Sequence, residues 1–336
     1  MIEPSRSCVA VLGCGSWGTA LAIRLCRNGH RVRLWGNEPE QIAELRAHGE
    51  NRHFLPGVPF PPGLEALASL EAALAGATDC LVVVPSHAFA GVITALSTRL
   101  PRGIGLTWAT KGLEPQSGAL LHTLAQQGLP GESLAIVSGP SFAREVAIGL
   151  PTAVTVASDD PEFARHTAGL LHGERFRAYT SSDLVGVEVC GAAKNVLAIA
   201  TGIADGLGFG ANSRAALITR GLTELIRLGT ALGGRPETFM GLAGVGDLVL
   251  TCTDDQSRNR RMGLALAGGA SVAQARAAIG QEVEGVVTAA AVRTLARRLG
   301  VEMPISEQVY QVLYKGVPPL AATAALLERE PKAEFR

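Results

Sequence analysis

The stretch GCGSWG, Gly13–Gly18, follows the short apolar run CVAVL, Cys8–Leu12, and precedes an apolar, helix-like segment that begins TALAIRL. Its glycines match the pattern G-x-G-x-x-G, which by itself is weak evidence in a chain with 40 glycines. The pattern stands between a predicted strand and a predicted helix, which is where a turn that binds the diphosphate of a dinucleotide occurs. A strand-to-helix turn without a ligand would have the same letters, so the choice depends on the rest of the chain.

Each glycine of this stretch has its own role in a diphosphate-binding turn. Gly13 permits the tight turn, Gly15 lets the backbone approach the diphosphate, and Gly18 lets the helix pack closely on the strand. The free N–H groups at the start of that helix attract the anion. We therefore predict that these three glycines bind a dinucleotide cofactor.

The second predicted strand, RVRLW, bears on which dinucleotide is accepted. NAD-specific sites usually place Asp or Glu at the end of this strand, where the carboxylate binds the ribose 2′-hydroxyl. Here Trp35 ends the strand, Asn37 begins the loop and Glu38 follows. Because no acid at the strand end repels a 2′-phosphate, we expect the site to accept NADPH as well as NADH. The sequence does not decide which of the two is preferred.

Apolar runs typical of buried parallel strands alternate with helix signals through the first half of the chain. This alternation predicts right-handed β–α–β crossovers and a doubly wound sheet, whereas only helix signals remain from about Asp183 onward. We predict an α/β protein with a Rossmann-type NAD(P)-binding domain in residues 1–180 and an all-α substrate and catalytic domain in residues 181–336. The predicted strands are CVAVL, RVRLW, CLVVVP, IGLTWAT, LAIVSG, TAVTVAS and RFRAYTS.

Charge and composition argue against several classes of protein. The 336 residues include 30 basic and 30 acidic side chains, so the formal net charge is zero, which disfavours nucleic acid or an anionic membrane as a partner. The six cysteines form no C-x-x-C pair, and MIEPSRS at the N-terminus lacks the apolar region of a signal peptide. No apolar run approaches the roughly 20 residues that cross a bilayer. We expect a cytoplasmic protein without membrane insertion.

Two lysines follow or interrupt apolar segments. Lys194 lies within EVCGAAKNVLAIA, a strongly apolar predicted helix, and lysine is rarely buried without a reason. Burial lowers the pKa of a lysine, which makes Lys194 a candidate proton acceptor near neutral pH. Lys111, in WATKGLE, would project from the carboxyl edge of the sheet, where its charge could hold a phosphate or a substrate anion. The alternatives are a snorkelling Lys194 and an ordinary solvated Lys111.

Polar residues also follow two other predicted strands. His87, in VPSH, either lines the cofactor cleft or is a surface residue at a helix start. Gly139 and Ser141, in SGPSFAREV, stand where free backbone N–H groups could bind substrate or cofactor, although an ordinary capped turn fits the spacing equally well.

The block GLAGVGDLVLTCTDDQSRNRRMG contains the last group of candidates. Asp247 follows its glycine-rich turn, and Ser257, Arg258 and Asn259 stand together at a predicted helix start. Hydroxyl, guanidinium and amide donors in succession favour a phosphate site over a plain basic helix face. The residues by themselves indicate a nicotinamide-dependent dehydrogenase with a lysine acid/base and an anionic, phosphorylated substrate.

Long motifs extend from about residue 8 to about residue 315: GSWGTALA, NxxFLPG, VVVPSH, WATKGLE, SGPSFAREVAIGLPTAV, KNVLAIATGIADGLGFGANSRAALITRG, FMGLAGVGDLVLTCTDDQSRNRRMG and GVEMPI. Together they resemble the bacterial NAD(P)-dependent sn-glycerol-3-phosphate dehydrogenase family. The resemblance implies reversible, NAD(P)H-linked reduction of dihydroxyacetone phosphate to sn-glycerol 3-phosphate, a precursor of membrane phospholipids.

The resemblance also implies roles for individual residues. Lys194 is implied to accept the proton in the oxidation direction, and no metal is expected. Asn37 stands where relatives often have a basic residue, Ser141 where threonine is common, and Glu282 where valine is common. The implied cofactor contacts are Ser16, Trp17, Asn37, Lys111, Ala143, Arg258 and Glu284, beside the three glycines. The implied substrate contacts are Lys111, Gly139, Ser141, Lys194, Asp247, Ser257, Arg258 and Asn259.

Two rival functions are weaker. A β-hydroxyacid or 6-phosphogluconate-type dehydrogenase shares both halves and a Lys–Asn pair such as Lys194–Asn195, but it lacks the block GDLVLTCTDDQSRNRR. A non-catalytic NADPH-binding regulatory module needs no lysine in an apolar helix. We also expect a homodimer, because the predicted helical half offers amphipathic surface.

Overall fold

The structure, a computed structural model, describes residues 7–330. One eight-stranded sheet has the order β3-β2-β1-β4-β5-β6-β7-β8, and only the β6–β7 pair is antiparallel among its neighbours. The strands are β1 (Cys8–Leu12), β2 (Arg31–Trp35), β3 (Leu64–Leu67), β4 (Asp79–Val82), β5 (Leu106–Trp108), β6 (Leu134–Ser138), β7 (Thr152–Ala157) and β8 (Phe176–Ser181). The predicted doubly wound sheet followed by helices is confirmed.

Helices cover the sheet and then form the second half of the chain. Those of the first half are α1 (Ser16–Arg27), α2 (Pro39–His48), α3 (Leu70–Leu74), α4 (Ser86–Leu96), α5 (Leu121–Gly128), α6 (Ala143–Ile148) and α7 (Pro161–Leu171). Those of the second half are α8 (Leu184–Gly206), α9 (Gly210–Ala231), α10 (Pro236–Phe239), α11 (Asp247–Thr253), α12 (Arg258–Ala267), α13 (Val272–Ile279), α14 (Glu284–Leu299), α15 (Pro304–Lys315) and α16 (Pro319–Leu327).

The sheet differs from the prediction at two places. The segment LEAL, which is not among the predicted strands, forms the edge strand β3, because pairing with β2 outweighs the helix propensity of its Ala/Leu-rich sequence. β7 runs antiparallel to β6, although the strand pattern predicted a parallel sheet. The intervening helix α6 has only six residues and rises about 9 Å, too little to carry the chain back across the sheet before β7 begins.

Helix α8 is the centre of the helical half. Of its 23 residues, 20 are buried, so it is surrounded by other elements instead of facing solvent. It packs closely on α12 because both carry glycine at the contact. A Cβ on Gly202 would lie 2.2 Å from the carbonyl oxygen of Arg260, and a Cβ on Gly263 would lie 2.2 Å from that of Ile199. This close crossing brings the start of α12 next to the lysine-bearing part of α8.

The junction between the two halves is packed. Leu184, Val187 and Ala243 belong to the same apolar cluster as the sheet residues Leu12 and Trp108. The last strand ends at Ser181 and α8 begins at Leu184, while the proposed domain boundary at 180 stays a prediction.

Helix α8 is also long and apolar enough to span a membrane by length and composition. The prediction that no segment approaches this limit is therefore wrong. In the fold, 89% of the most apolar window of α8 is buried inside the protein, as expected for a core helix. Five of the six cysteines are buried as well, and none of the six forms a disulfide.

Candidate active site

The stretch Gly13–Gly18 forms the turn between β1 and α1, and its glycines are needed for different reasons. Gly13 has φ +119°, and a Cβ there would lie 2.6 Å from the carbonyl oxygen of Val83. A Cβ on Gly18 would lie 1.8 Å from the carbonyl oxygen of Gly13. Nothing lies within 4 Å of a Cβ added to Gly15, so packing alone does not require that glycine. The open space at Gly15, before the start of α1, fits a diphosphate approaching the backbone.

The two residues that follow Gly15 support the same interpretation. Ser16 and Trp17 begin α1, whose first turn has neither an acidic residue nor a side-chain cap. The buried Nε1 of Trp17 makes no hydrogen bond within residues 7–330. A buried donor without a partner is uncommon and is consistent with a ligand that would complete the site.

The loop after β2 presents Asn37, which is exposed. Arg33, the basic residue on β2, donates from Nη1 to the carbonyl oxygen of Ala75, which lies between α3 and the start of β4. Its guanidinium is therefore turned away from the carboxyl edge of the sheet. This leaves Asn37 and the neighbouring Glu38, which is also exposed, as the polar side chains at the expected ribose position.

Two lysines converge on one buried carboxylate where the halves meet. Lys111 Nζ donates to Asp247 Oδ2 at 2.7 Å and to the carbonyl oxygen of Gly139 at 3.2 Å. Lys194 Nζ donates to Asp247 Oδ1 and, at 2.8 Å, to Thr251 Oγ1. The Asp247 side chain is 1% exposed, that of Lys194 7% and that of Lys111 17%. The cluster is therefore shielded from water but open on the side of Lys111.

The surroundings set the charge states of this cluster. Burial lowers the pKa of Lys194 to about 7, the nearby Lys111 ammonium lowers it as well, and the Asp247 carboxylate acts in the opposite direction. Burial alone would raise the pKa of Asp247, but the Lys111 and Lys194 ammonium groups outweigh it and hold that pKa below its ordinary value. A buried amine poised near neutral pH beside a fixed carboxylate suits proton transfer.

Thr251 also belongs to this cluster, although it is not among the predicted site residues. Its Oγ1 accepts a hydrogen bond from Lys194 and donates to the backbone carbonyl oxygen of Asp247 at 2.6 Å. The signal was available, because Thr251 stands four residues after Asp247 and residues at that spacing share one face of a helix.

The loop after β6 faces the same cluster. The carbonyl oxygen of Gly139 accepts from Lys111 and, at 2.9 Å, from Ser141 Oγ. Gly139 has φ +139°, and a Cβ there would lie 3.0 Å from the Cα of Val154, so the turn requires glycine. Ala143 begins the short helix α6 just beyond this turn.

The run Ser257–Asn259 forms the start of α12, as predicted. Ser257 caps the helix, and its Oγ accepts from the N–H of Arg260 at 3.2 Å. Asn259 donates from Nδ2 to Asn195 Oδ1 at 2.9 Å, next to Lys194, and its Oδ1 accepts from the N–H of Gly285 at 2.9 Å. Asn259 thus ties the start of α12 to α8 and α14.

Arg258 has the least satisfied side chain of that run. The partly buried guanidinium makes one long hydrogen bond, from Nη1 to Gln281 Oε1 at 3.4 Å. Burial lowers the pKa of Arg258, and Glu284 acts against that effect. A guanidinium with this little satisfaction, at a helix start, has donors available for an anion.

Glu284 and its polar neighbours His87 and Glu282 have different surroundings. Glu284 Oε1 and Oε2 accept from the N–H and the Oγ of Ser86 at 2.9 and 2.6 Å. His87 is exposed at the second position of α4, which fits the surface alternative for this histidine. Glu282 pairs with Arg276 at 3.3 Å.

The structure therefore brings most of the predicted residues into one continuous region. Lys111, Gly139, Asp247 and Lys194 share direct contacts, and Asn195 links Lys194 to Asn259. Ser16, Trp17 and Asn37 lie at the glycine turn and the β2 loop and have no direct contact with this cluster among the hydrogen bonds within residues 7–330. In the same part of the chain, no group of three or more His, Cys, Asp or Glu side chains could hold a metal ion.

Two family models match this chain. The model of the N-terminus of NAD-dependent glycerol-3-phosphate dehydrogenase matches residues 8–164, and the model of its C-terminus matches residues 183–324. A protein of Thioalkalivibrio sulfidiphilus, named glycerol-3-phosphate dehydrogenase (NAD(P)+), is 58% identical over 332 residues, which are 98% of this chain and 100% of that protein. A protein of the same name from Shewanella pealeana is 55% identical over 97% of both chains.

A solved structure agrees with these matches. The crystal structure of glycerol-3-phosphate dehydrogenase from Coxiella burnetii has a TM-score of 0.95 and 50% sequence identity, and the alignment covers 97% of this chain and 100% of that one. The similarity extends over both the sheet half and the helical half. The chain belongs to the NAD-dependent glycerol-3-phosphate dehydrogenase family.

Proposed function

We propose that this chain is an NAD(P)-dependent oxidoreductase that reduces dihydroxyacetone phosphate to sn-glycerol 3-phosphate, reversibly, and so supplies the backbone of glycerophospholipids. The single observation that carries the proposal is the buried Lys111–Asp247–Lys194 cluster, in a chain 58% identical over nearly its whole length to a protein named for this reaction. A buried lysine with a pKa of about 7 suits a reaction that adds or removes a proton at a carbonyl oxygen.

The chemistry divides between the cofactor and the protein. When bound, the reduced nicotinamide supplies a hydride to the carbonyl carbon. The Lys194 ammonium donates a proton to the oxygen of that carbonyl, and in the oxidation direction the neutral amine accepts it from the hydroxyl. Asp247 and Thr251 hold the Lys194 amine in place through their hydrogen bonds. Lys111 keeps Lys194 acidic enough to release its proton and offers a second cation to the substrate.

Cofactor binding is assigned to the glycine turn and to the edges of the neighbouring loops. Gly15 leaves room for the diphosphate, and the first N–H groups of α1 would bind it. Asn37 at the ribose position carries no charge, which supports use of both NADPH and NADH. The remaining proposed cofactor contacts are Gly13, Ser16, Trp17, Gly18, Lys111, Ala143, Arg258 and Glu284.

Substrate phosphate binding is assigned to the start of α12. Arg258 has guanidinium donors to spare, and the first turn of the helix offers backbone N–H groups. Ser257 and Asn259 make contacts of their own that shape this turn, beside any contact with substrate. Gly139 and Ser141 would border the other side of the substrate, next to Lys111.

We further propose two domains, 1–180 and 181–336, a cytoplasmic location without membrane insertion or nucleic-acid binding, and a homodimer.

The dimer is supported by α16, whose sequence PLAATAALL is apolar although only Ala322 is buried. Leu320 is 61% and Leu327 79% exposed, unusual for so apolar a helix.

A groove of about 730 Å³ beside α16 is the surface that we assign to a second copy of the chain. Its walls are mainly aliphatic, with exposed arginines Arg220 and Arg227 on α9, while the charged residues Glu328, Arg329 and Glu330 follow the last turn of α16. Basic and acidic groups on one surface suit a twofold pairing in which each copy complements the other. Light scattering should give twice the 34.8 kDa of one chain, and Leu327→Asp should give the single mass. A parental protein at the single mass would overturn the dimer.

The proposed reaction is tested by an assay with dihydroxyacetone phosphate, in which oxidation of NADH and NADPH is followed side by side. We expect turnover of dihydroxyacetone phosphate with both cofactors, little reduction of 3-oxo acids, and, in the reverse direction, little reduction of NADP+ by 6-phosphogluconate. Arg258→Ala should mainly raise the KM for dihydroxyacetone phosphate. Tight NADPH binding without turnover of any triose phosphate would favour a regulatory module instead.

A further inference from the structure

Glu284 links the two halves of the molecule through Ser86, a residue that the proposed reaction does not use. Ser86 is 2% exposed and is the first residue of α4, and it donates to Glu284 from its backbone N–H at 2.9 Å and from Oγ at 2.6 Å. α4 has neither an acidic residue in its first turn nor a side-chain cap from its own N-terminal flank. The carboxylate of Glu284, on α14, therefore caps a helix of the sheet half.

Gly112 packs directly on this pair. A Cβ on Gly112 would lie 2.5 Å from the Cβ of Ser86 and 3.3 Å from Glu284 Oε2. Gly112 directly follows Lys111, so the backbone that carries Lys111 rests on the Ser86–Glu284 contact. Lys111 Nζ in turn reaches Asp247 Oδ2 at 2.7 Å. A continuous series of contacts thus runs from the start of α4 to the catalytic cluster.

We propose that Ser86 is a positioning residue, whose two hydrogen bonds hold Glu284 against Gly112 and thereby fix the Lys111 ammonium at Asp247. Its expected effect on turnover rests on the proposed function, but its effect on the charge state of Lys194 does not. Ser86→Ala removes the hydrogen bond from Oγ at 2.6 Å and keeps the one from the backbone N–H, so Glu284 and the Lys111 backbone gain freedom and the Lys111 ammonium spends less time near Lys194. Lys194 then becomes more basic, because a like charge nearby disfavours protonation.

Lys194 reports this change with little interference from other groups. The charged groups that face it are Lys111 and Asp247, and the titratable thiols of Cys190 and Cys252 lie near it on α8 and α11. Burial raises the pKa of both thiols, to about 12 for Cys252, so they stay neutral in the working range. Around Glu284 the charged or titratable groups are Arg258, Glu282 and His87.

The test uses the scarcity of lysine in this chain, which has only Lys111, Lys194, Lys315 and Lys332. In the full-length protein labelled with 15N-lysine, NMR titration follows each amine, and Lys194→Arg assigns the Lys194 signal. We expect Ser86→Ala to raise the pKa of Lys194 by about half a pH unit. Thr94→Ala is the matched control, because Thr94 is exposed on the same helix and its side-chain hydroxyl donates to the carbonyl oxygen of Ala90, away from Glu284.

Two further variants show whether the effect passes through Lys111. Gly112→Ala, which presses on the pair from the other side, should shift Lys194 in the same direction, and it serves if Ser86→Ala does not fold. In a Lys111→Met background, Ser86→Ala should add no further shift. A Lys194 titration unchanged by Ser86→Ala and by Gly112→Ala, or an equal shift without Lys111, would overturn the proposal.

Turnover provides a second readout of the same proposal. The pH at which reduction of dihydroxyacetone phosphate falls to half should rise in Ser86→Ala, together with the pKa of Lys194, and stay unchanged in Thr94→Ala. If the parental protein shows the expected lysine titrations but does not reduce dihydroxyacetone phosphate, the proposed function fails while the positioning of Lys111 stands.

Discussion

Two carboxylates, Asp247 and Glu224, are equally buried in the helical half, at 1% exposure each, but are stabilised in opposite ways. Asp247 accepts hydrogen bonds from two ammonium groups, and these hold its pKa below the ordinary value despite burial. Glu224, on α9, accepts from the N–H groups of Ile305 and Ser306 at 2.5 and 3.1 Å and from Ser306 Oγ at 2.8 Å. Burial raises its pKa to about 7.

The difference shows that hydrogen bonds and charge compensation are separate requirements of a buried carboxylate. Three donors satisfy the oxygens of Glu224, which thereby caps the start of α15, but these hydrogen bonds do not offset the cost of placing a charge inside the protein. Lys111 and Lys194 offset that cost for Asp247. The arrangement at Asp247 leaves an ionised carboxylate and an acidic ammonium side by side, which is what proton transfer requires.

The largest effect is expected from Lys194→Ala. Removing the proposed proton donor should lower turnover by about 10³-fold or more, while NADPH binding measured by fluorescence titration stays detectable. Lys315→Ala is the matched control, because Lys315 is exposed in the last turn of α15. Parental turnover in Lys194→Ala would refute the assigned role.

Asp247→Asn removes the carboxylate charge while keeping the side-chain shape. Lys111 and Lys194 would then lose their shared counterion, so we expect the free energy of unfolding to fall by about 3–5 kcal/mol. The pKa of Lys194 should also fall below about 7, because its main attractive partner is lost. Urea unfolding and lysine NMR measure the two effects.

Asp255→Asn is the control for this change. Asp255 also pairs with a basic residue, Arg260, at 2.8 Å, but its side chain is 69% exposed. Because Asp255 is exposed and the buried Arg260 keeps its ion pair with Asp205, this change should cost at most about 1 kcal/mol. Equal destabilisation by Asp247→Asn and Asp255→Asn would show that charge compensation at Asp247 is not special.

Glu224→Gln tests the other side of the comparison through the pH dependence of stability. The pKa of Glu224 is raised from 4.5 to about 7 on folding, so the contribution of Glu224 to the stability of the parental protein is lost as pH rises from about 4.5 through about 7. Glu224→Gln does not titrate. Its free energy of unfolding relative to the parent should therefore increase by about 3 kcal/mol between pH 4.5 and pH 8.

Glu224→Ala separates hydrogen bonding from charge at the same position. It leaves the N–H groups of Ile305 and Ser306 without their acceptor and should cost about 2–4 kcal/mol at pH 5. For Glu224→Gln, the control is Glu71→Gln, because the Glu71 side chain is exposed. If the stability of Glu224→Gln depends on pH in the same way as that of the parental protein, Glu224 is ionised in the folded protein without a cost in stability.

The smallest expected effect is the pH dependence of the parental enzyme near pH 7. Reduction requires the Lys194 ammonium and should fall as pH rises through about 7, whereas oxidation requires the neutral amine and should rise over the same range. Initial rates in both directions at saturating substrate give the two profiles. Parallel profiles would exclude Lys194 as the titrating group.

Much of the fold and the site follows from local sequence. Seven of the eight strands and the long helices were predicted from apolar periodicity, because buried parallel strands and core helices differ in length and spacing. β3 was missed, since LEAL has helix propensity and becomes a strand only by pairing with β2. The antiparallel direction of β7 was not predicted, because it depends on how far the connecting helix α6 carries the chain back across the sheet.

The site shows the same division. Lys194 was recognised as a candidate because it lies within an apolar helix, and Asp247 because it follows a glycine-rich turn. Neither observation indicated that the two side chains form a hydrogen bond with each other. Thr251 was within reach of the helical spacing from Asp247. The contact of Ser86 could not be predicted from local spacing, because its partner Glu284 stands 198 residues away in the chain.

The sequence alone determined the glycine turn, the alternation of strands and helices, and the kinds of polar groups that each strand end carries. These depend on neighbours along the chain, where backbone geometry and periodicity act. Only the tertiary structure decided that Lys111 and Lys194 share one carboxylate and that Gly15, unlike Gly13 and Gly18, is free of packing demands. Charge states inside a protein depend on which groups meet and how much water remains, and both are properties of the folded chain.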